Sequence, residues 1–311
     1  MKKFAIGADI GGGHIMCAAV DLDNKAIVGE SIACQAVDNQ ASAAVILESW
    51  AAALNRSIAV VGSHPLAGVG FAMPGPFNYE KGIARFTHEV AKYQNLHGIN
   101  VSDRLKPLLA VKGEYNVRYL NDATSFAVGE AWIGLASAVK RSMCITLGTG
   151  FGSAFVDDGI PVVQGEDVPP MGCVWHLPFR GAIADESFST RWFIKQYAAK
   201  SGHHLTGVKE IADKVASDPV AREIFFEFGT NLGIFLAPWL KKFNAEALVI
   251  GGNVAGAYSR FGDSLEKALA AQGSGVSVHV SSLKENAALI GSARLFDEGY
   301  WTKVEPLLSS M

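Results

Sequence analysis

Short apolar, β-rich runs at residues 4–10, 14–21 and 26–33 open the chain, separated by Gly11-Gly12-Gly13 and by Asp21-Leu22-Asp23-Asn24. Runs of that length bounded by turn residues predict a meander of three strands. The pattern then changes. Residues 41–56 are rich in alanine and place Val45, Leu47, Trp50 and Leu54 at helical spacing, which predicts a helix. A strand is expected at 66–73, ending in the rigid turn Pro74-Gly75-Pro76, and another at 117–120. The second leads into NDATSFAVGEAWIG, where Asn121 can cap a helix running to about Trp132.

Residues 143–159, MCITLGTGFGSAFVDDG, repeat the opening in kind. Ile10-Gly11-Gly12-Gly13 lies over Leu147-Gly148-Thr149-Gly150, and each is followed by a short apolar run and an aspartate. Two copies are too few for a solenoid and suit two related half-molecules. After a loop-rich stretch from 159 to 186, helices are predicted at 190–199, 207–217 and 220–243. A buried strand at 247–250 precedes Gly251-Gly252-Asn253, then come a strand at 276–280 and a helix at 287–298. Alternating strands and helices place the chain in the α/β class.

Composition narrows the partners. The 311 residues allow two domains of about 150 each. A formal charge of -3 offers no excess of cations to a phosphate backbone, so no nucleic acid is expected and a small molecule is. The apolar run after Lys3 is cut by Asp9, too early for a signal-peptide core. The longest uncharged stretch, 57–79, holds Pro65, Pro74 and Pro76, which argues against a membrane helix. A cytoplasmic protein without membrane contact is expected. Cys17, Cys34, Cys144 and Cys173 have no paired spacing and read as buried, reduced thiols.

Glycine permits positive φ and close approach, so the two turns can offer backbone N–H groups to the oxygens of a polyphosphate. An ordinary tight hairpin is the alternative for either one taken alone. Neither turn is a G-x-x-x-x-G-K-[ST] loop, and Gly11 to Gly13 do not open a helix as a dinucleotide fingerprint does.

Five motifs follow one another along the chain: Asp9-Ile10-Gly11-Gly12-Gly13, Pro74-Gly75-Pro76, Asn121-Asp122-Ala123, Leu147-Gly148-Thr149-Gly150-Phe151-Gly152 and Ile250-Gly251-Gly252. Together they resemble the ROK family of sugar kinases and repressors, over nearly the whole chain. The resemblance implies two related actin-like (ribonuclease H-like) α/β domains flanking a nucleotide cleft. One is expected at 1–121 plus 296–311 and a larger one at 122–295, with a homodimer as the assembly. It implies ATP and Mg2+ as cofactors and a hexose or hexose derivative as substrate. Gly11, Gly12, Gly13, Gly148, Thr149, Gly150, Gly152, Gly251, Gly252 and Asn253 would then line the nucleotide, with Gly75 on the sugar side.

Phosphoryl transfer to a hydroxyl needs a group to take the proton. Asp122, at a strand end and helix start, is the candidate base, and the Asn121 amide can orient a sugar hydroxyl. A helix cap and nothing more is the alternative for this pair. Asp9 resembles the family's first phosphate-motif aspartate, which holds Mg2+ mostly through water; a strand-end hydrogen bond is its other reading. Glu130 can share a face of the same helix as Asp122 or be an ordinary solvated or helix-bridging glutamate.

On the sugar side the chain departs from the family, whose members usually carry G-E-x-G-H and a later glutamate. MGCVWHLPFRGAIADESFS supplies His176 and Glu186, but Cys173 stands in the first glutamate's place and Trp175 in the glycine's. His176 can equally be a core or surface histidine. No cysteine cluster follows, and structural zinc usually needs four ligands, so no zinc is expected. Three readings result: an ATP-dependent sugar kinase, a sugar-sensing regulator of the same family, and a sugar-binding pseudokinase. Regulators carry a helix-turn-helix domain ahead of the first phosphate motif, for which Asp9 leaves no room in this sequence.

Overall fold

A computed structural model describes residues 3–87 and 92–311. The chain divides into two units, Met1–Ile133 with Glu285–Met311, and Gly134–Lys284.

The first unit is built on a sheet of β1 (Phe4–Ile10), β2 (His14–Asp21), β3 (Ala26–Ile27), β4 (Ala33–Ala36), β5 (Leu66–Met73) and β8 (Asn116–Asn121), with α1 (Ala43–Val61) between β4 and β5. Its order is β3-β2-β1-β5-β8, and β4 also pairs with β2. The small hairpin β6 (Phe77–Asn78) and β7 (Ile83–Ala84) and helix α2 (Val101–Leu105) follow β5, and α3 (Asp122–Ile133) follows β8 directly. β1 runs antiparallel to β2 and parallel to β5, which is parallel to β8. The strand expected at 26–33 is interrupted by a 3-10 turn at Gly29–Ser31. Ser31 is the cause: its hydroxyl accepts from Ala19 N at 2.7 Å and donates to Val28 O at 2.6 Å, displacing ladder bonds with side-chain ones. Helix α1 runs five residues past Arg56 because Ile58 and Val61 continue its buried stripe and Gly62, at φ 65°, is the first residue to break it. By length and composition α1 could cross a membrane, but Leu47, Trp50 and Leu54 are buried within this unit as in any core helix.

The second unit repeats the plan. Its sheet contains β9 (Arg141–Leu147), β10 (Phe151–Asp157), β11 (Ile160–Val162), β14 (Ala247–Gly251) and β15 (Ser277–Val280), in the order β11-β10-β9-β14-β15. Strand directions match those of the first unit: β9 is antiparallel to β10 and parallel to β14, and β14 is parallel to β15. Between β11 and β14 lie β12 (Pro178–Phe179), β13 (Ala182–Ile183), α4 (Ala184–Ser187), α5 (Thr190–Ser201), α6 (Val208–Lys214) and α7 (Pro219–Lys242). Asp218 caps α7 by accepting from Val220 N at 2.8 Å, and Pro219 fits the first helical position. Phe193, Phe225, Phe228 and Phe261, the last on α8 (Tyr258–Ala271), form a fully buried aromatic core.

The chain then returns to the first unit. The single helix expected at 287–298 is two, α9 (Asn286–Arg294) and α10 (Glu298–Val304). Asp297 separates them by capping α10, accepting from Gly299 N and Tyr300 N at 3.0 and 3.2 Å. Gly7 on β1 and Gly129 on α3 admit α9 at backbone contact: a β-carbon there would overlap Leu289 O and Ala287 O. Of the cysteines, Cys17 and Cys144 are buried as expected, whereas Cys34 is exposed and Cys173 only partly buried.

Candidate active site

In the first unit the β1–β2 connection, Gly11 to Gly13, is tied down by its carbonyls. Gly11 O accepts from the Tyr93 hydroxyl at 2.7 Å, Gly12 O from Asn39 Nδ2, and Gly13 O from Val37 N at 2.9 Å. Gly11 N donates to His14 O at 2.9 Å. That leaves the amides of Gly12 and Gly13 with no acceptor among the described residues. Successive unpaired amides on a turn make a seat for an anion. Tyr93 is fully buried and packs edge-on against Trp50 at 5.5 Å.

Pairing within the sheet brings two carboxylates to the same end. Asp9 pairs with Ala72 on β5, and the next β5 residue, Met73, pairs with Asn121 on β8, immediately before Asp122. Asn121 Oδ1 accepts from Thr124 N at 3.1 Å and so caps α3. Its Nδ2 donates to Asp122 Oδ1 at 3.0 Å and to the Tyr79 hydroxyl at 3.2 Å. Asp122 Oδ1 also accepts from Ala123 N at 2.8 Å, while Oδ2 has no partner among the described residues. The Tyr79 hydroxyl in turn donates to Met73 O at 3.1 Å and lies beside Gly75.

Both carboxyls titrate above the usual range. Burial, then the charges of Asp122 and Glu285, push Asp9 up to about 7. Burial raises Asp122 as well, against the Ala123 amide and the Lys92 ammonium, which lower it. Glu130 is fully buried, which overturns its reading as a solvated glutamate.

The second unit's turn, Gly148 to Gly150, has its carbonyls held in the same way. Gly148 O accepts from Thr190 N at 2.8 Å, Thr149 O from Arg191 Nη1 at 2.7 Å, and Gly150 O from Gly148 N at 3.0 Å. The Thr149 and Gly150 amides have no acceptor among the described residues. Asp185 accepts from Phe151 N at 2.7 Å and pairs with Arg191 at 2.5 Å, locking the start of β10, in which Gly152 lies. Gly252, at φ 83°, leads from β14 against β9: a β-carbon there would overlap Leu147 O, the residue before the turn. Asn253, itself exposed, follows at the start of a 3-10 turn whose Val254 and Ala255 are buried.

The segment holding His176 is fastened from two sides. Val174 N donates to Ser153 Oγ at 2.8 Å, while Asp185 N and Ala184 N donate to Trp175 O and Leu177 O, both at 2.9 Å. Glu186, exposed on α4, therefore sits one residue from a strap onto Trp175. Trp175 is exposed, and burial lowers the pKa of the His176 imidazole. Cys173 Sγ lies 3.8 Å from His176 Nδ1, and burial pushes its thiol up to about 11. Among the described residues no three His, Cys, Asp or Glu side chains gather closely enough to cage a metal. A single carboxylate such as Asp9, crowded by other negative charge, does fit a Mg2+ ion that keeps most of its waters.

The first unit thus holds Asp9, Gly11, Gly12, Gly13, Gly75, Asn121 and Asp122, and the second holds the other predicted positions. Tyr93, Asn39, Lys92, Asp185 and Arg191 escaped the sequence reading.

A match to the ROK family covers residues 5–298, and the chain belongs to that family. Among curated proteins it is similar to the glucokinase of Thermotoga maritima, 28% identical over 258 residues that span 74% of this chain and 79% of that one. An N-acetyl-D-glucosamine kinase of Haemophilus influenzae is 30% identical over 156 residues, 49% of this chain and 46% of its own. Among solved structures, the ROK hexokinase from Thermus thermophilus superposes with a TM-score of 0.74 at 22% identity, covering 93% of this chain and 96% of that one. The ROK glucokinase from Streptomyces griseus, in complex with glucose and AMPPNP, gives 0.72 at 22%, covering 95% and 100%. The fold is the actin-like one of these kinases, two related α/β units.

Proposed function

We propose that the protein is an ATP-dependent sugar kinase that transfers the γ-phosphoryl group to a hydroxyl of a hexose or hexose derivative, with Asp122 as general base. The observation that carries this reading is the state of the Asp122 carboxylate. One oxygen is pinned by Asn121 and the Ala123 amide, and the other has no partner among the described residues. In the same unit lies a turn with two amides that have no acceptor among the described residues. The relatives named glucokinase support the substrate class.

In each unit the two amides without an acceptor among the described residues, Gly12 and Gly13 in the first and Thr149 and Gly150 in the second, would bind phosphate oxygens from a turn already fixed by its carbonyls, which is how preorganised donors stabilise developing charge. Asp122 Oδ2 takes the proton as the sugar oxygen attacks, and Asn121 keeps the carboxylate in register. Asp9 would hold Mg2+ mostly through water, and the ion would neutralise charge on the phosphates. His176 and Glu186 are the side chains assigned to sugar recognition, with Gly75 beside them in role. Cys173 cannot accept a hydroxyl's proton in the manner of a carboxylate, so the sugar is expected to differ from that of relatives with glutamate there.

The test is coupled ADP release with Mg2+ and ATP against hexoses, amino sugars, N-acetylated sugars and sugar acids. Sugar-dependent turnover that vanishes in folded Asp122→Asn is expected. Silence across the panel, with sugar binding still seen by calorimetry, would overturn the kinase and leave a binding or regulatory protein.

A further inference from the structure

The first turn is rich in negative charge and receives a polyanion in the proposed reaction, so a cation is needed there. Asp9 feels Asp122 and Glu285 as like charges. Lys92 is the lysine whose ammonium acts on Asp122. Its side chain lies along the turn: a β-carbon on Gly12 would stand 3.0 Å from Lys92 Cε and 3.2 Å from Nζ. The ammonium therefore rests beside Gly12, whose amide has no acceptor among the described residues, and forms no salt bridge with a described carboxylate.

Its backbone is held at this place by the next residue. Tyr93 adopts a left-handed conformation at φ 53° and ψ 27°, unfavourable for a bulky side chain. Such strain persists only where the surroundings over-determine it. Here they do: Tyr93 N donates to Asn39 O at 3.1 Å, its hydroxyl to Gly11 O at 2.7 Å, and its ring packs against Trp50 and Phe86. Asn39 itself donates to Gly12 O. Lys92 is thus fastened through Tyr93 to the very turn its ammonium lies against.

We propose that Lys92 is a catalytic residue of this kinase, its ammonium binding the terminal phosphoryl oxygens over the Gly12–Gly13 amides during transfer. The proposal rests on the kinase reading above. In the step, the bond from the γ-phosphorus to the oxygen of the ADP leaving group breaks and a bond to the sugar oxygen forms. The hydroxyl proton passes to Asp122. Lys92 stays protonated and donates throughout to oxygens that become neither nucleophile nor leaving group. A lysine acts there as a compact point charge, and an arginine of similar reach serves the same oxygens.

The experiment compares Lys92→Ala and Lys92→Arg with the unaltered protein in steady-state turnover on its best sugar, and in calorimetric titrations with AMPPNP and with ADP. In Lys92→Ala, kcat should fall by about 100-fold at little changed sugar KM. AMPPNP affinity should fall about tenfold while ADP affinity holds, and Lys92→Arg should recover most of both. Full turnover in Lys92→Ala would overturn the proposal and leave the kinase reading intact. Equal loss of AMPPNP and ADP affinity would overturn it too, since it would mark a merely structural role for the lysine. If the unaltered protein turns over no sugar, the kinase reading falls by itself. The titrations then decide: a preference for AMPPNP over ADP that survives in Lys92→Ala, or no nucleotide binding at all, sinks the assignment.

Discussion

Tyr93, Asn39 and Val37, all neutral, hold the carbonyls of the first turn, whereas an Arg191 guanidinium paired with Asp185 braces the second. Both arrangements leave two consecutive amides without an acceptor among the described residues. What differs is the fate of the nearby carboxylates. In the second unit Asp185 is consumed as a strut between Phe151 N and Arg191. In the first, the Asp9 carboxyl and Asp122 Oδ2 have no hydrogen-bond partner among the described residues, and burial raises both pKa values. On the proposed function, the duplicated backbone would supply anion binding twice and acid–base chemistry once. A duplicated sheet constrains the turn but leaves the side chains around it free to diverge.

That contrast can be broken at its strongest point by exchanging carboxylate for amide on each side. Asp122→Asn should lower kcat by about 10²- to 10⁴-fold, the usual value of a general base, with nucleotide affinity and thermal unfolding close to normal. Asp185→Asn should do the reverse, sparing kcat to within about tenfold while weakening ADP binding in calorimetry. If both variants lost the same function, the division of labour would be wrong.

A smaller effect is expected at the second turn's support. Gly252→Ala places a side chain at φ 83° against Leu147 O, and strained positions of this kind cost about 1–3 kcal/mol. A matching fall in the denaturation midpoint, with Asp122 chemistry preserved in the surviving folded protein, is the expected outcome. Arg191→Ala should loosen Thr149 and reduce ADP affinity by a few-fold, more at low salt than at high because the guanidinium is half exposed.

The smallest effect is one of pH. Asp9 titrates at about 7 in the folded chain and in the ordinary carboxylate range when unfolded, so the folded state binds more protons between about pH 4 and 7. Its contribution to stability therefore declines as pH rises through that window and is level above it. Denaturation of the unaltered protein and of Asp9→Asn at pH 5 and pH 8 should show their stability difference shifting against the unaltered protein at the higher value. A constant difference would mean that burial and the neighbouring charges of Asp122 and Glu285 do not raise the Asp9 carboxyl.

Much of the sheet was legible because its strands are continuous apolar runs between breakers: the strand expected at 66–73 is β5 residue for residue. Errors fell where a side chain competes with the backbone, as Ser31 does within 26–33 and Asp297 does at the end of α9. In the site, the turns were legible through their repetition and Asp122 through its place between a strand and a helix. The groups that hold the turns were not. Asn39, Asp185, Arg191 and Tyr93 reach them from 27, 34, 42 and 82 positions away, and nothing in local spacing marks such an approach. Lys92 is one lysine in a polar stretch until the fold lays it along Gly12.

Helix α9 bears on how the protein is made. It lies at backbone contact with the first strand of the chain and with α3, yet it is encoded after the whole of the second unit. On the ribosome, residues 134–284 can leave the exit tunnel and settle as a unit while the earlier sheet still lacks its covering helix. The unit translated first is thus the one finished last, and a nascent chain stalled with residue 284 just clear of the tunnel would present an apolar sheet face to chaperones after the second unit has folded.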